Sequence, residues 1–299
     1  MAEGVIWTDL TAAEVAEHLS QLLEFPVSAT TVAQLFEQEG YGQRQAQKAT
    51  AMGKHADRDA QFQRIAELKQ EYLASPDPVL SLDTKKKELL GNFYRDGRLY
   101  TRETVATFDH DFPGFADGVV IPHGLYDLKR NRGYLHLGTS CDTSEFACDS
   151  LEHWWLRFGR ALYPQAGSVL LLCDGGGSNS SRTHLFKDDL QKWVNRLGLP
   201  VRVAHYPPYQ SKYNPIEHRL FPHVTRACQG VVFRSVALVK QLMEKTRTRT
   251  GLSVVVDILD RVYAKGRQVT AAARQAWHLV RDSVLPLWNY RMLPSAKNP

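Results

Sequence analysis

The spacing of apolar residues predicts two short helices at the start of the chain, within residues 1–41. Each helix is preceded by a residue suited to capping, Thr11 and Ser28. The stretch Phe25-Pro26-Val27 separates them, and Gly40 closes the second helix. A helix, a short turn and a capped second helix form the outline of a helix-turn-helix, although many helical hairpins share this pattern.

Farther along, apolar runs of strand length predict a sheet. Residues 42–78 comprise a polar linker and a helix that ends near Ser75-Pro76-Asp77-Pro78. Strands are predicted at 79–82, 89–94, 134–138, 169–172 and 201–204, and helices at 142–158 and 186–197. Strands that first form hairpins and then alternate with helices are typical of an α/β domain with a mixed sheet, here residues 79–230. Residues 231–299 are predicted to form a mostly helical extension.

Charge and composition narrow the class of protein. The net charge is +5, but residues 1–50 carry −5, so the remaining 249 residues carry +10. A basic main body suits a polyanionic partner such as DNA, and it is equally compatible with an ordinary protein of high pI. The longest aliphatic run, Val169 to Leu172, is too short to span a bilayer, and the start lacks a secretory signal. Four cysteines without a C-x-x-C pair favour a reducing compartment.

The motif CDGGGSNSS at 173–181 places a carboxylate and three glycines directly after an apolar strand. A P-loop would need a Lys-Ser/Thr pair, and a dinucleotide-binding loop would need G-x-G-x-x-G; neither is present. Asp174 would repel phosphate unless a divalent ion intervened, whereas the glycines would let a nucleic-acid backbone approach closely. The alternative is a tight strand-to-helix turn that Asp174 caps, and the motif alone leaves both open.

Two further acids follow structural boundaries. Asp83, in PVLSLDTKKKE, ends another apolar strand, and two strands of one sheet that end in Asp can bring both carboxylates to the same edge. Glu217, in HYPPYQSKYNPIEHRLF, follows Asn214-Pro215, an N-cap and first-turn pair. The helix dipole favours a carboxylate at this third helical position. Simple capping is the alternative role for Glu217.

Five segments together resemble a known family: SLDTKKKELLGNF, YDLKRNRGY, CDGGGSNSSR, HYPPYQSKYNPIEHRLF and TRTRTGL. From about residue 6 to the final WNYRMLP, the chain is similar to the ISAzo-type insertion-sequence transposases, which are bacterial DDE transposases with an RNase H-like fold. PPYQSKYNPIE also resembles the corresponding motif of mariner-type transposases. The resemblance implies an RNase H-like mixed sheet flanked by helices, with an N-terminal helix-turn-helix remnant and a helical C-terminal region. It also implies metal-dependent DNA cleavage and strand transfer.

The same resemblance implies a DDE triad of Asp83, Asp174 and Glu217, separated by 91 and 43 positions. These acids would hold two Mg²⁺ ions, or Mn²⁺ in their place, which activate the attacking oxygen and stabilise the leaving one. DNA, as element ends and target, is the implied partner of a homodimer or higher oligomer, with no membrane and no small-molecule cofactor. The implied location is the bacterial cytoplasm, at the nucleoid. The candidate DNA contacts are Lys85, Lys86, Lys87, Arg182 and Lys212.

Four other positions carry narrower expectations. Asp142, in DTSE, is expected to cap the following helix rather than to be the first acid of the triad. His205 and His218 flank the site and are expected to be structural. Pro222 stands where family members have a small polar residue, and it is expected to kink the helix of Glu217 at a cost of about 3 kcal/mol.

The family carries an additional N-terminal helix-turn-helix region, and this chain begins inside the second one, which predicts weakened recognition of terminal repeats. Two alternatives to an active transposase therefore remain. The first is a truncated, non-catalytic DNA-binding remnant or regulator of transposition, and the second is a plain RNase H-type nuclease.

Overall fold

The computed structural model describes residues 7–44, 56–176 and 183–295. The chain divides into two compact units, residues 1–50 and residues 51–299. Arg182, one of the predicted DNA contacts, lies outside the described residues. Within the described ranges, no helix combines the length and the apolar character needed to cross a membrane.

The first unit is the helical pair that the sequence predicts, with helix α1 at Ala12–Leu23 and α2 at Ala29–Gln38. Thr11 and Glu14 form a reciprocal capping box at α1, in which the Thr11 N–H donates to Glu14 Oε2 at 2.6 Å. Ser28 caps α2 by accepting from the Thr31 N–H at 3.1 Å. The two helices pack against each other, and the predicted elements are confirmed.

The second unit holds the described strands. They are β1 (Val79–Thr84), β2 (Glu88–Leu90), β3 (Gly118–Asp127), β4 (Arg132–Gly138), β5 (Val169–Cys173), β6 (Val201–His205), β7 (Ser253–Ile258), β8 (Leu279–Arg281) and β9 (Asn289–Met292). Its helices are α3 (Arg58–Ala74), α4 (Ser144–Trp154), α5 (Arg160–Leu162), α6 (His184–Leu197), α7 (Pro215–Arg219), α8 (Phe221–Ala227), α9 (Val236–Glu244) and α10 (Ala271–Gln275). A π-helical turn joins α4 to α5.

The strands form one mixed sheet in the order β7-β4-β3-β1-β5-β6-β9-β8, with β2 paired to β3. Strands β1, β5 and β6 are mutually parallel, and β3 runs antiparallel between β1 and β4. The inner order β4-β3-β1-β5-β6 is the RNase H-like arrangement, so the expected fold class is confirmed.

Helices cover both faces of this sheet. On one face, α4 and α6 bury Trp154 and Trp193 against residues of β1, β5 and β6. On the other face, α7, α8 and α9 pack over β3, β4 and β7, and α3 packs over β1, β5 and β6. Because both faces are covered, the central strands are apolar on both sides, as their continuous hydrophobic runs predict.

The prediction of a mostly helical C-terminal region is wrong. Strand β7 extends the sheet beside β4, and β8 and β9 extend it beyond β6 at the opposite edge. The β7 sequence SVVVDI contains the β-branched run that strands favour, and a parallel edge position allows it to pair with β4. The strand predicted at 89–94 is also shorter, because β2 ends at Leu90 and Gly91 takes a positive φ of 122°.

Candidate active site

Two of the predicted acids stand side by side at the ends of neighbouring strands. Leu82 of β1 is the register partner of Cys173 of β5 in a parallel pair. Asp83 and Asp174 directly follow these partners, so both lie at the same carboxyl edge of the sheet. Glu217 reaches the same edge from α7 and engages Asp83 in a side-chain hydrogen bond. The structure therefore brings the three predicted acids together.

Asn214 fixes the start of α7 onto β1. It occupies the N-cap position, as the sequence predicts, but its side chain does not cap the helix. Instead its fully buried amide donates to the Leu82 carbonyl at 3.2 Å and accepts from Ser81 Oγ at 2.5 Å. Ser81 Oγ in turn accepts from the Ile216 N–H at 3.0 Å. These contacts attach the residues flanking Glu217 to the two residues before Asp83.

The helix that carries Glu217 ends before Pro222, so the expected kink within that helix, with its cost, does not occur. Helix α7 stops at Arg219, and Leu220 leaves the helical conformation with φ −122° and ψ −61°. Pro222 then lies in the first turn of the separate helix α8, where a missing N–H removes no helical hydrogen bond. The interruption thus avoids the interior-proline cost, and Glu217 stays at the acid cluster.

Burial and mutual repulsion shape the electrostatics of the cluster. Burial, the charge of Asp174 and the hydrogen bond with Glu217 together raise the pKa of Asp83 to about 8. The Thr84 N–H, which donates to Asp83 Oδ1 at 2.7 Å, opposes this rise. Burial also raises the pKa of Asp174, as do the charges of Glu217 and Asp142, while the Gly176 N–H opposes the rise. The two aspartates titrate together, so their protons belong to the pair.

Asp142 belongs to this edge of the sheet, which corrects its expected capping role. Helix α4 is capped by Thr143, whose side chain accepts from the Phe146 N–H, so Asp142 lies one residue too early to cap it. Asp142 Oδ1 instead accepts from Thr84 Oγ1 at 3.1 Å, and its charge acts on Asp174. The sequence signal for this fourth acid is its position in the short connection between β4, which ends at Gly138, and α4, which begins at Ser144.

Asp174 does not cap the helix that follows the glycine motif. Helix α6 begins at His184, ten positions after Asp174, and its N-cap is Thr183. A Cβ at Gly175 would lie 3.1 Å from the Tyr206 carbonyl oxygen, so the protein's own backbone requires a glycine there. Residues 177–182, which hold the rest of the motif, lie outside the described part of the chain.

The two flanking histidines differ. His205 is completely buried, with Nδ1 3.1 Å from the Asp174 carbonyl oxygen and Nε2 3.1 Å from the Tyr290 hydroxyl. Its predicted structural role is confirmed, and it supports the backbone of Asp174. His218 is exposed on α7 and has no hydrogen-bond partner among the described residues, which does not support a structural role.

The three lysines that follow Asp83 differ in their exposure to solvent. Lys85 is largely buried and bonds Glu88 at 2.5 Å, and Glu88 also pairs with Arg95. Lys86 and Lys87 are exposed, as is Lys212 in the turn before α7. Among the described residues, no lysine or arginine forms an ion pair with Asp83, Asp174 or Glu217. The acid cluster therefore lacks a described protein counter-charge, and a donor set of carboxylate oxygens fits hard divalent cations.

An RNase H-like sheet with carboxylates at the ends of its central strands defines a class of enzymes that transfer phosphoryl groups on nucleic acids. The chain belongs to the family of Rhodopirellula transposase DDE domains, whose model matches residues 1–294. It is thus a DDE-type DNA transposase, and the family resemblance in its sequence is confirmed. The alternative of a non-catalytic remnant is not favoured.

Several solved structures resemble the chain. The Mos1 transposase paired-end complex with the left transposon end is 16% identical over 82% of this chain and 73% of that one, with a TM-score of 0.49. The Mos1 mariner paired-end complex with Mn is 16% identical over 79% and 66%, with a TM-score of 0.49. The Mos1 strand transfer complex is 17% identical over 79% and 65%, with a TM-score of 0.47. No curated protein matches the chain.

Proposed function

We propose that Asp83, Asp174 and Glu217 are the catalytic triad of this transposase and that they hold two Mg²⁺ ions, which Mn²⁺ can replace. The observation that carries the proposal is the shared carboxyl edge: two adjacent strand ends and one anchored helix supply three acids to one place. Bound divalent ions supply Lewis-acid stabilisation of the attacking and leaving oxygens during in-line displacement at phosphorus. Asp142 adds a fourth negative charge to the same edge.

The protein residues have distinct parts in this reaction. Asp83 and Asp174 stand on the sheet, so their carboxylates are held rigidly and provide fixed ligands. Glu217 is held by the contacts of Asn214 with β1, and it would complete the ligand set from α7. Because the pKa of Asp83 is raised to about 8, binding of a divalent cation would have to release a proton from this carboxyl group at neutral pH. The same cluster serves cleavage first and strand transfer afterwards.

Nicking of a labelled terminal-repeat duplex tests the proposal. The wild type should release a 3′-hydroxyl end in Mg²⁺ or Mn²⁺ and should join that end to target DNA. Asp174→Ala should bind the duplex and leave it intact. Equal products from both proteins would reject the assignment of the triad, and nicking without strand joining would favour a plain nuclease.

Exposed lysines beside the cluster are proposed to contact DNA phosphates. Replacing both Lys86 and Lys87 by alanine should weaken binding about equally for all sequences and should lower the slope of log affinity against log salt by roughly 2, about one for each lost contact. Lys85→Ala is the matched control, because the Lys85 ammonium is already engaged by Glu88. Fluorescence anisotropy at several salt concentrations measures the slopes. Equal slopes for the wild type and the double variant would exclude these two lysines, and Lys212→Ala tests the third contact in the same way.

The transposase is further proposed to act as a homodimer or higher oligomer on DNA, at the bacterial nucleoid, because both ends of an element must be joined in one reaction. Light scattering after size-exclusion chromatography, with and without end DNA, measures the oligomer. If no complex at saturation contains more than one protein copy, this part of the proposal is contradicted.

A further inference from the structure

A second cluster of metal-binding side chains lies under α4, on the face of the sheet opposite α7. His136 of β4 and Asp257 of β7 are register partners in parallel strands, and His153 approaches them from α4. One ligand atom from each of the three residues lies within 4.8 Å of the others. We propose that this cluster is a second metal site, which takes a transition-metal ion of the Zn²⁺ type and is separate from the acid cluster.

The donor set points to this class of ion. Two imidazole nitrogens and one carboxylate oxygen are the ligands of many three-residue zinc sites, with solvent in the fourth position. Mg²⁺ prefers an all-oxygen shell, so the catalytic ion is a poor occupant. With bonds of about 2.0–2.1 Å, tetrahedral ligand atoms are roughly 3.4 Å apart, so the side chains need to close by only ~1 Å.

A bound metal ion would give the buried imidazole of His136 a partner. It is 1% exposed, and its Nδ1 has no hydrogen-bond partner among the described residues. The His136 and His153 rings meet edge to face, with centroids 5.1 Å apart, so the two imidazoles adjoin without a hydrogen bond between them. Buried polar groups normally have partners, and an unsatisfied imidazole nitrogen beside another histidine calls for an explanation.

The surroundings of Asp257 suit a metal ligand. Its Oδ2 lies 3.2 Å from His153 Nε2, and its Oδ1 accepts from Arg157. An ion bound at Oδ2 would replace the His153 contact and leave Arg157 holding the other oxygen, which is how outer partners orient ligating carboxylates. A purely structural ion pair would account for Arg157, His153 and Asp257 but not for the buried His136 Nδ1, which has no hydrogen-bond partner among the described residues.

The site would join three elements, β4, α4 and the edge strand β7. Because an ion that binds the folded state alone stabilises it in proportion to the logarithm of its concentration, occupancy has a readout independent of catalysis. The side chains of His153 and Asp257 are 33% and 12% exposed, which leaves the ion a route from solvent.

Titration of the full chain with Co²⁺ in excess Mg²⁺ tests the proposal, since Mg²⁺ saturates the carboxylates. The wild type should develop the visible absorption of tetrahedral Co²⁺, and Zn²⁺ should displace it and raise the melting temperature. His153→Ala should weaken Co²⁺ binding at least about a hundredfold, because ligand loss exceeds the 10–100-fold effect of outer partners. His110→Ala is the matched control, because it removes a histidine with a 66% exposed side chain outside the cluster.

Asp174→Asn should keep the absorption, which separates this site from the acid cluster. Circular dichroism confirms folding of each variant, and Asp257→Asn replaces His153→Ala if the latter does not fold. Absence of a tetrahedral spectrum in the wild type would overturn the proposal. Unchanged Co²⁺ affinity in a folded His153→Ala or Asp257→Asn protein would do the same.

Discussion

Asp83→Asn is expected to slow Mg²⁺-dependent strand cleavage at least about a thousandfold and, at the same time, to stabilise the metal-free protein at pH 8. The loss of activity follows because a fixed carboxylate ligand disappears, and bound metal contributes several kcal/mol to such displacements, with each 1.36 kcal/mol worth a factor of ten. The gain in stability follows because an amide removes one of the crowded negative charges.

The sign of the stability change depends on pH. The pKa of Asp83 is about 8 in the folded protein and about 4 in an unfolded chain. The contribution of the protonated Asp83 side chain to the free energy of unfolding is therefore fully present below about pH 4 and is lost as the pH rises through about 8. Asp83→Asn removes this loss, so the free energy of unfolding of the variant should exceed that of the wild type at pH 8 and should differ little from it at pH 4. Mg²⁺ should stabilise the wild type more than the variant.

Urea unfolding in EDTA at several pH values, together with nicking assays in Mg²⁺, measures both effects. Glu67→Gln, which removes an exposed carboxylate on α3, is the control and should change neither the cleavage rate nor the pH profile. A variant that is less stable than the wild type at pH 8 would show that repulsion does not dominate the cluster. Wild-type cleavage by Asp83→Asn would exclude this residue from the triad.

Asn214→Ala should reduce the cleavage rate about tenfold to a hundredfold and cost about 1–3 kcal/mol of stability. The alanine leaves the buried Leu82 carbonyl without its donor and releases Ser81 Oγ from its partner. Since α7 is then less firmly attached to β1, Glu217 loses its fixed position beside Asp83, and displacements near 1 Å can cost two orders of magnitude in rate. The concentration of Mg²⁺ needed for half-maximal rate should rise.

Rates are compared at a temperature where calorimetry shows both proteins folded. Ser211→Ala is the nearby control, because its side chain is exposed in the turn before α7 and should leave the rate and stability unchanged. Ser81→Ala should have a similar effect to Asn214→Ala. Because the two side chains act as one contact, the double variant should lose no more rate and stability than the sum of the losses of the two single variants. A fully active, folded Asn214→Ala protein would contradict this positioning role.

Sequence patterns predict the strands that carry the first two acids, because mostly apolar runs, residues 79–82 in β1 and Val169–Cys173 in β5, lead directly into Asp83 and Asp174. They did not predict β3, in which Pro122 and Gly124 interrupt the pattern. The Pro122 carbonyl accepts from the Lys85 N–H, just past the end of β1. The N–H that proline lacks would point to the same side as this carbonyl, where no residue of β1 remains to pair with it. Proline therefore removes no hydrogen bond from the sheet. A Cβ at Gly124 would lie 2.7 Å from the Phe221 ring, so tertiary packing selects glycine there.

Other features of the site depend on contacts between distant segments. Asn214 binds β1 instead of capping its own helix because its partner is Ser81, which lies 133 residues earlier. A local sequence pattern cannot reveal a contact between such distant residues. Asp142 was assigned to capping because Thr143 and Asp142 are both suitable N-cap residues, and only the observed helix start decides between them. The resemblance to the transposase family implies the three acids as a triad, and the sequence pattern alone places each of them at or near the end of a strand or the start of a helix.

The sheet has an implication for synthesis of the enzyme. All three acids of the triad have emerged by residue 217, yet the two borders of the sheet are supplied by β7 and β8–β9, from the last 47 residues. Until those strands arrive, β4 and β6 expose unpaired backbone groups at both margins. A chain that stops before β7 would therefore carry the three proposed catalytic acids on an incomplete sheet, and we expect it to be less stable than the chain with both borders in place.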